Sequence, residues 1–349
     1  MSLKIIKYLN FFPQISKSIK GSITSVVIGN VFISDFTKIK KNVIIRGDGK
    51  GIYIGKNCIF NNRVTVHVAA RLQGTSIGNN CFIDEYSVVH ACKLKDDVIV
   101  GSNSVIMDGS VIGNNVIIQK NSLVPPRKKF PSYHLIGGSP AKVLSKISCR
   151  EFLKYKGSFI KKKSSSFVNS FNYRNYICKN NFNENYKKKN IKSFIASDVK
   201  VSQKLTMGIN SSIWYSVIIL SSKKKGEVIL GKGSNIQDNS IFDTLGNLIK
   251  IGDRVTIGHN VIIKGRSIIH DDAVIGMGSL LEKDCIVGNN SFVGANSVVR
   301  SGTVIPDDTI YAGNPAVFFR KVTEKEKVFF KKGQKIYEEL TKDYNSILA

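Results

Sequence analysis

Three histidines stand in short motifs where an imidazole could do chemistry: Thr65-Val66-His67-Val68, His90-Ala91-Cys92 and Thr256-Ile257-Gly258-His259. A neutral imidazole offers a lone pair to a metal ion or to a proton, and its second nitrogen can be held by a neighbour. A lone histidine in a turn is more often a surface or interface hydrogen-bonder, so the surroundings decide. Arg46-Gly47-Asp48 precedes the first histidine and Asn235-Ile236-Gln237-Asp238 precedes the third. Arg46 and Asp48 have a structural alternative as an ion pair that fixes packing at an interface. Gln237-Asp238 could only cap a turn, and Cys92 could only pack.

The elements that must position these residues follow from a six-residue beat. Every sixth residue from Leu94 is aliphatic: Leu94, Val100, Ile106, Ile112, Ile118 and Val124. A second register runs Ile251, Ile257, Ile263, Ile269, Ile275, Leu281, Val287, Val293, Val299 and Ile305. Helices repeat at three and four and half-buried strands at two, so a period of six denotes a repeat architecture. It specifies short strands stacked into a triangular prism, with one inward aliphatic side chain per face and about 18 residues per coil. Ile28-Gly29-Asn30, Ile77-Gly78-Asn79, Ile112-Gly113-Asn114 and Val287-Gly288-Asn289 fit the corners, because Gly and Asn tolerate the positive φ of tight turns.

Both prisms close alike, with Gly137-Gly138-Ser139-Pro140-Ala141 and Ala312-Gly313-Asn314-Pro315-Ala316. The organisation expected is therefore an N-terminal helix or targeting segment over 1–20, a first prism over 21–156, a basic linker over 157–190, a second prism over 191–322 and a C-terminal helix over 323–349. The linker is rich in Lys, Ser and Asn and cannot bury a core of its own, although Phe167, Phe171, Tyr173 and Tyr176 would allow it to dock.

A formal charge of +27 over 349 residues would suit nucleic acid, an anionic membrane surface or acidic subunits. No aromatic and arginine platform accompanies it, so a nucleic-acid role is set aside. The six cysteines are scattered without a CxxC pair and read as free thiols in a reducing compartment. No apolar run approaches the roughly 20 residues that span a bilayer. The first 34 residues contain no Asp or Glu and carry four lysines around Ile5, Ile6, Leu9 and Phe12. That composition is open to two readings, a mitochondrial targeting segment or a packing helix, and Pro13 and the lack of arginine count against the first.

Taken in order, Arg46-Gly47-Asp48, His67, His90 and Lys120-Asn121-Ser122-Leu123-Val124-Pro125, with Ser212-Ile213-Trp214, Gln237-Asp238 and Gly258-His259 in the second half, resemble the γ-class carbonic anhydrase family. The resemblance covers most of both prisms and excludes the linker. It implies an all-β fold of two tandem left-handed parallel β-helices with terminal α-helices, the known exception to right-handed crossovers. In that family zinc sits between neighbouring prisms of a trimer, held by two histidines of one and a third of the next. Three imidazoles leave a fourth tetrahedral position for water, which then ionises near neutral pH and can attack carbon dioxide.

Carried over position by position, the first prism offers His67, Glu85 and His90, and the second offers Asp243, His259 and Lys264. Glu85 reads as a salt-bridging residue or as a carboxylate ligand. An ammonium has no lone pair, so Lys264 is a poor ligand. Neither prism repeats the whole site by itself. His67 and His90 of the first with His259 of the second restore all three, giving at most one composite zinc site. Arg46 and Asp48, which read Leu220 and Ser222 in the second prism, would be catalytic together with Gln237, whose counterparts in the first are Asn61 and Asn62.

Three classes of function follow. The first is a structural or assembly subunit resembling the γ-carbonic-anhydrase module of mitochondrial respiratory complex I. The family assembles as three prisms and this chain supplies two, so the expected partner is another γ-carbonic-anhydrase-like subunit within a large complex, with any peripheral membrane association made through partner subunits. The second is an active zinc enzyme that hydrates carbon dioxide. The third is a hexapeptide-repeat acyltransferase, which the paired histidines and Arg-Gly-Asp argue against. Location is expected to be mitochondrial, and otherwise cytoplasmic.

Overall fold

The computed structural model describes residues 3–161 and 192–348. Two compact units, 1–171 and 172–349, divide the chain, and each is a parallel β-helix. In the second unit the strands stack as three sheets of eight, six and six strands, one per prism face. Successive strands of a face come from successive coils, as in Thr256–Ile257 on Val274–Ile275 on Phe292–Val293. The first unit has an eight-stranded sheet and a twelve-stranded one. The larger joins two faces because Val26–Ile33 and Ile44–Ile54 run continuously around a corner, pairing with different strands on either side of it.

All sixteen aliphatic residues of the two six-residue registers are buried, none more than 1% exposed. Each such side chain stabilises its coil by roughly 1.5–3 kcal/mol relative to exposure, and each sits on its counterpart one coil away. This column is what sets the register of everything on the outer surface. Five of the six cysteines are free thiols, four of them buried; Cys178 lies outside the described residues.

Three of the four corner motifs work differently from the expectation. Gly29 of Ile28-Gly29-Asn30 is left-handed as expected, at φ +76°, but in Ile77-Gly78-Asn79, Ile112-Gly113-Asn114 and Val287-Gly288-Asn289 the left-handed residue is the one after the motif, at Asn80, Asn115 and Asn290. Gly78 is needed for room: a Cβ there would lie 2.4–2.8 Å from atoms of Lys95 and Asp96 in the next coil. Asn79 instead bonds between coils, its Oδ1 accepting the Lys56 N–H at 2.9 Å while its own N–H donates to Asp96 at 2.7 Å.

Residues 3–20 are not helical. Lys4–Ile6 and Gln14–Ile15 are short strands parallel to Val26–Ile33, and Lys20–Gly21 pairs with Lys38–Ile39. The open edge of the first coil offers unpaired backbone groups, and pairing with them outweighs a helix that Pro13 would break.

Each unit closes with an antiparallel hairpin, His134–Gly138 with Ala141–Lys146 and Thr309–Gly313 with Ala316–Lys321. A helix follows each: α1 (Cys149–Lys161) and α2 (Glu324–Leu348). Both start with a reciprocal capping box, Ser148 with Glu151 and Thr323 with Glu326. Helix α1 includes 157–161, where the linker was expected to begin, because Phe152 and Phe159 pack against the first prism beside Phe82. The remainder of the expected linker, 162–190, lies outside the described residues. Helix α2 is held by Tyr344 and Tyr337 against Trp214, with Phe194 beside them. Neither helix is long and apolar enough to cross a membrane.

The inner column makes a direct test. Ile263→Ala is expected to lower the unfolding free energy by about 2–5 kcal/mol, and Ile262→Ala, facing outward and half-buried, by clearly less; urea titration followed by circular dichroism measures both.

Candidate functional site

Register brings the first-prism residues together. Arg46 pairs with His67 and His67 with His90, so the three lie one above another on three adjacent coils of one face. The coils here exceed 18 residues, 21 from Arg46 to His67 and 23 from His67 to His90. The extra length forms corner loops beside the column. Glu85 belongs to the turn after Phe82–Ile83, a strand of the other sheet, and accepts from Asn62 Nδ2 at 2.5 Å.

Asp48 does not share the column but reaches it. The corner Gly47-Asp48-Gly49 passes so close to its neighbours that a Cβ on Gly47 would lie 2.5 Å from the Asn30 carbonyl oxygen, and one on Gly49 2.0 Å from that of Ala70. Only glycine fits at either side, and Asp48 is thereby turned back toward the strand. One of its oxygens accepts from Arg46 Nη1 and the other from His67 Nε2, the latter at 2.9 Å. Arg46 and Asp48 are buried, and the His67 ring is 5.3 Å, centroid to centroid, from that of His90. His90 Nδ1 donates to Asp108 Oδ1 at 2.6 Å.

Burial acts to raise the pKa of the Asp108 carboxyl, but the charge and hydrogen bond of His90 outweigh it and hold the group below its ordinary range. Burial pushes the Cys92 thiol far up, so it stays protonated beside the site and packs. When the rings are neutral, with carboxylates on Nε2 of His67 and Nδ1 of His90, the lone pairs fall on Nδ1 of the first ring and Nε2 of the second. A carboxylate behind an imidazole fixes its tautomer and raises its basicity, as around metal-binding histidines.

The second unit has the same framework and other side chains. Leu220 pairs with Asp243 and Asp243 with Lys264, repeating the register of Arg46, His67 and His90. Asp243 is buried, with Oδ1 accepting the N–H groups of Ser222 at 2.9 Å and Leu245 at 3.2 Å. Burial lowers the Lys264 pKa, against the opposing pull of Glu282 and Asp243. His259 is buried in a turn, and its Nδ1 lies 3.1 Å from Asp238 Oδ2. Asp238 also accepts the Tyr215 N–H at 3.0 Å, which fixes the carboxylate. Gln237 is buried and donates from Nε2 to Asn235 Oδ1 at 3.2 Å.

Sequence reasoning missed Asp108 and gave Asp238 only a capping role. The signal lay in the coil length: each histidine draws a carboxylate from the adjacent coil, 19 residues before His67, 18 after His90 and 21 before His259.

The family profile described as bacterial transferase hexapeptide (six repeats) matches residues 74–106, 91–126, 249–283 and 266–301. The chain is 34% identical over 162 residues to γ carbonic anhydrase 2, mitochondrial, of Arabidopsis thaliana, covering 45% of this chain and 56% of that protein. It thus spans little more than half the length of that relative. It is 31% identical over 169 residues to protein YrdA of Escherichia coli strain K12, covering 43% of this chain and 85% of YrdA. A crystal structure of an acetyltransferase candidate from Desulfovibrio desulfuricans G20 aligns over 98% of this chain and 82% of that one, with 14% identity and a TM-score of 0.51, a likeness of fold alone.

Two outcomes are expected. Asp48→Ala leaves the buried Arg46 guanidinium without its carboxylate and should lower stability by about 3 kcal/mol in chemical denaturation. The Asp108 carboxyl has a lower pKa folded than unfolded, so its contribution is complete above about pH 4 and is lost as the pH falls through the folded value. Asp108→Asn should therefore flatten the acid limb of a plot of stability against pH.

Proposed function

Because the chain belongs to the γ-carbonic anhydrase-like hexapeptide-repeat family, we propose that it is a structural and assembly subunit of a larger complex, with one composite zinc site per chain. The observation that carries this reading is the inequality of the two equivalent columns. Arg46, His67 and His90 stand in one, and Leu220, Asp243 and Lys264 in the other. The second column holds no imidazole, so a prism of that kind cannot supply the histidine pair of a family site. It can supply the single histidine, His259.

The donor chemistry of the first column fits a zinc ion. Two imidazoles at neighbouring register, each backed by a carboxylate, are of the type that zinc takes, and His259 with Asp238 is a third of the same kind. In the proposed site His67, His90 and a neighbouring prism's His259 are the ligands. Bound zinc would supply Lewis-acid activation of water. The chain's own residues do the positioning: Asp48 fixes the His67 ring and compensates Arg46, Asp108 fixes His90, and Asp238 fixes His259. Gln237, with a carboxamide held by Asn235, is proposed to orient a water or substrate oxygen by hydrogen bonding.

A family trimer needs three prisms and this chain has two. A heteromer with a further γ-carbonic-anhydrase-like subunit is the simplest closure; the mitochondrial relative supports a mitochondrial location, and membership of the complex I module is proposed from the family resemblance alone. Hydration of carbon dioxide is the second reading, favoured by the carboxylates that already fix the tautomers of His67 and His90.

The test is metal content with assembly state. The purified native protein is expected to hold about one zinc per chain, lost in His259→Ala although the first column is intact, and to copurify with other subunits. Zinc retained in that variant would remove the composite site, and recovery as an isolated homotrimer active on carbon dioxide would remove the structural role.

A further inference from the structure

The N-terminal end of the first prism has a surface that neither the core nor the histidine column uses. Residues 8–11 form a tight turn, Tyr8 and Phe11 exchanging two backbone hydrogen bonds of 2.9 Å with Leu9 at φ +49°. Its outer side chains Leu9, Phe11 and Phe12 are exposed, Phe12 by 61%. The aromatic surface continues across the sheet by register, Gln14 to Phe32 to Tyr53, and both aromatics are about half exposed. Phe36, at the next corner, is 63% exposed. Clustered exposed apolar side chains of this kind mark an interaction surface.

The charge of this stretch of chain is one-sided. Residues 4–56 hold nine lysines and two carboxylates. Asp48 is buried with Arg46, and Asp35 accepts hydrogen bonds from Ser16 and Ser18. Lys20 and Lys38 are exposed and stack directly opposite each other on adjacent strands, an arrangement that costs stability unless an anion is near.

We propose that this end of the first prism docks on an anionic phospholipid bilayer, with Leu9, Phe11 and Phe12 entering the interfacial layer and the lysines meeting the headgroups. The apolar side chains are carried on a projecting turn, which suits insertion into a fluid layer. The exposed cations of the stretch are all lysines, and its one arginine is buried. Lysine acts as a point charge suited to a diffuse surface potential, whereas recognition of fixed carboxylates on a protein favours the arginine fork. Exposed aromatics and lysines carried by the same stretch are the pairing that interfacial anchors use.

Cosedimentation of the full-length protein with vesicles tests it. Binding is expected to vesicles of phosphatidylcholine with phosphatidylserine, to weaken as salt is raised, and to be absent with phosphatidylcholine alone. Phe11→Ser/Phe12→Ser should weaken it at least about tenfold with an unchanged circular dichroism spectrum. Lys17→Glu/Lys20→Glu should weaken it with the aromatics in place. Equal binding to neutral vesicles, undiminished binding by the Phe11→Ser/Phe12→Ser variant, or binding to polyglutamate but not to anionic vesicles would each overturn the proposal, the last in favour of an acidic protein partner.

Discussion

The stacking of aliphatic side chains along the axis of each prism is the constraint on which the rest depends. Ile263 rests on Leu281 and Leu281 on Val299, and the parallel backbone ladder follows that column coil by coil. A side chain slipped by one residue would exchange inner and outer faces. The outer positions are therefore fixed as rigidly as the inner ones, with inter-coil bonds such as that of Asn79 to Asp96 added at the corners. This lets residues distant in sequence stand in contact with little local machinery: Arg46, His67 and His90 need only occupy the same position on three successive coils.

Corners are where the repeat is broken and where the chemistry collects. The coils beside the histidine column are longer than the 18-residue repeat, and the loops made from the surplus flank the site. Gly47 and Gly49 show the steric side of this, since the neighbouring carbonyls leave no space for a Cβ. The carboxylate between them gains two partners in return, Arg46 and His67. The same device in a simpler form places Asp108 on His90 and Asp238 on His259.

The two prisms then differ in content, not in framework. Leu220, Asp243 and Lys264 occupy the positions of Arg46, His67 and His90 without disturbing the register, because outer side chains are not needed to hold a coil. Asp243 shows how a position adapts: in place of a ring held by a carboxylate there is a buried carboxylate held by two backbone N–H groups. One scaffold can carry either column and keep its fold, which is the physical basis for the proposed assembly role.

The sequence by itself determined the β-helix and the two prisms with their closing motifs, because a period of six apolar residues is a one-dimensional signal that survives without any knowledge of contacts. It misjudged what depends on neighbours in space. Lys4–Ile6 and Gln14–Ile15 pair as strands because an open coil edge was waiting for them, and the corner glycine Gly78 serves clearance where φ had been expected. Asp108 and Asp238 could be found only by knowing which residue lies one coil away, and that distance varies between 18 and 21 residues as corner loops lengthen. Tertiary structure decided those partners, since the coil closes on a geometric turn and not on a fixed count of residues.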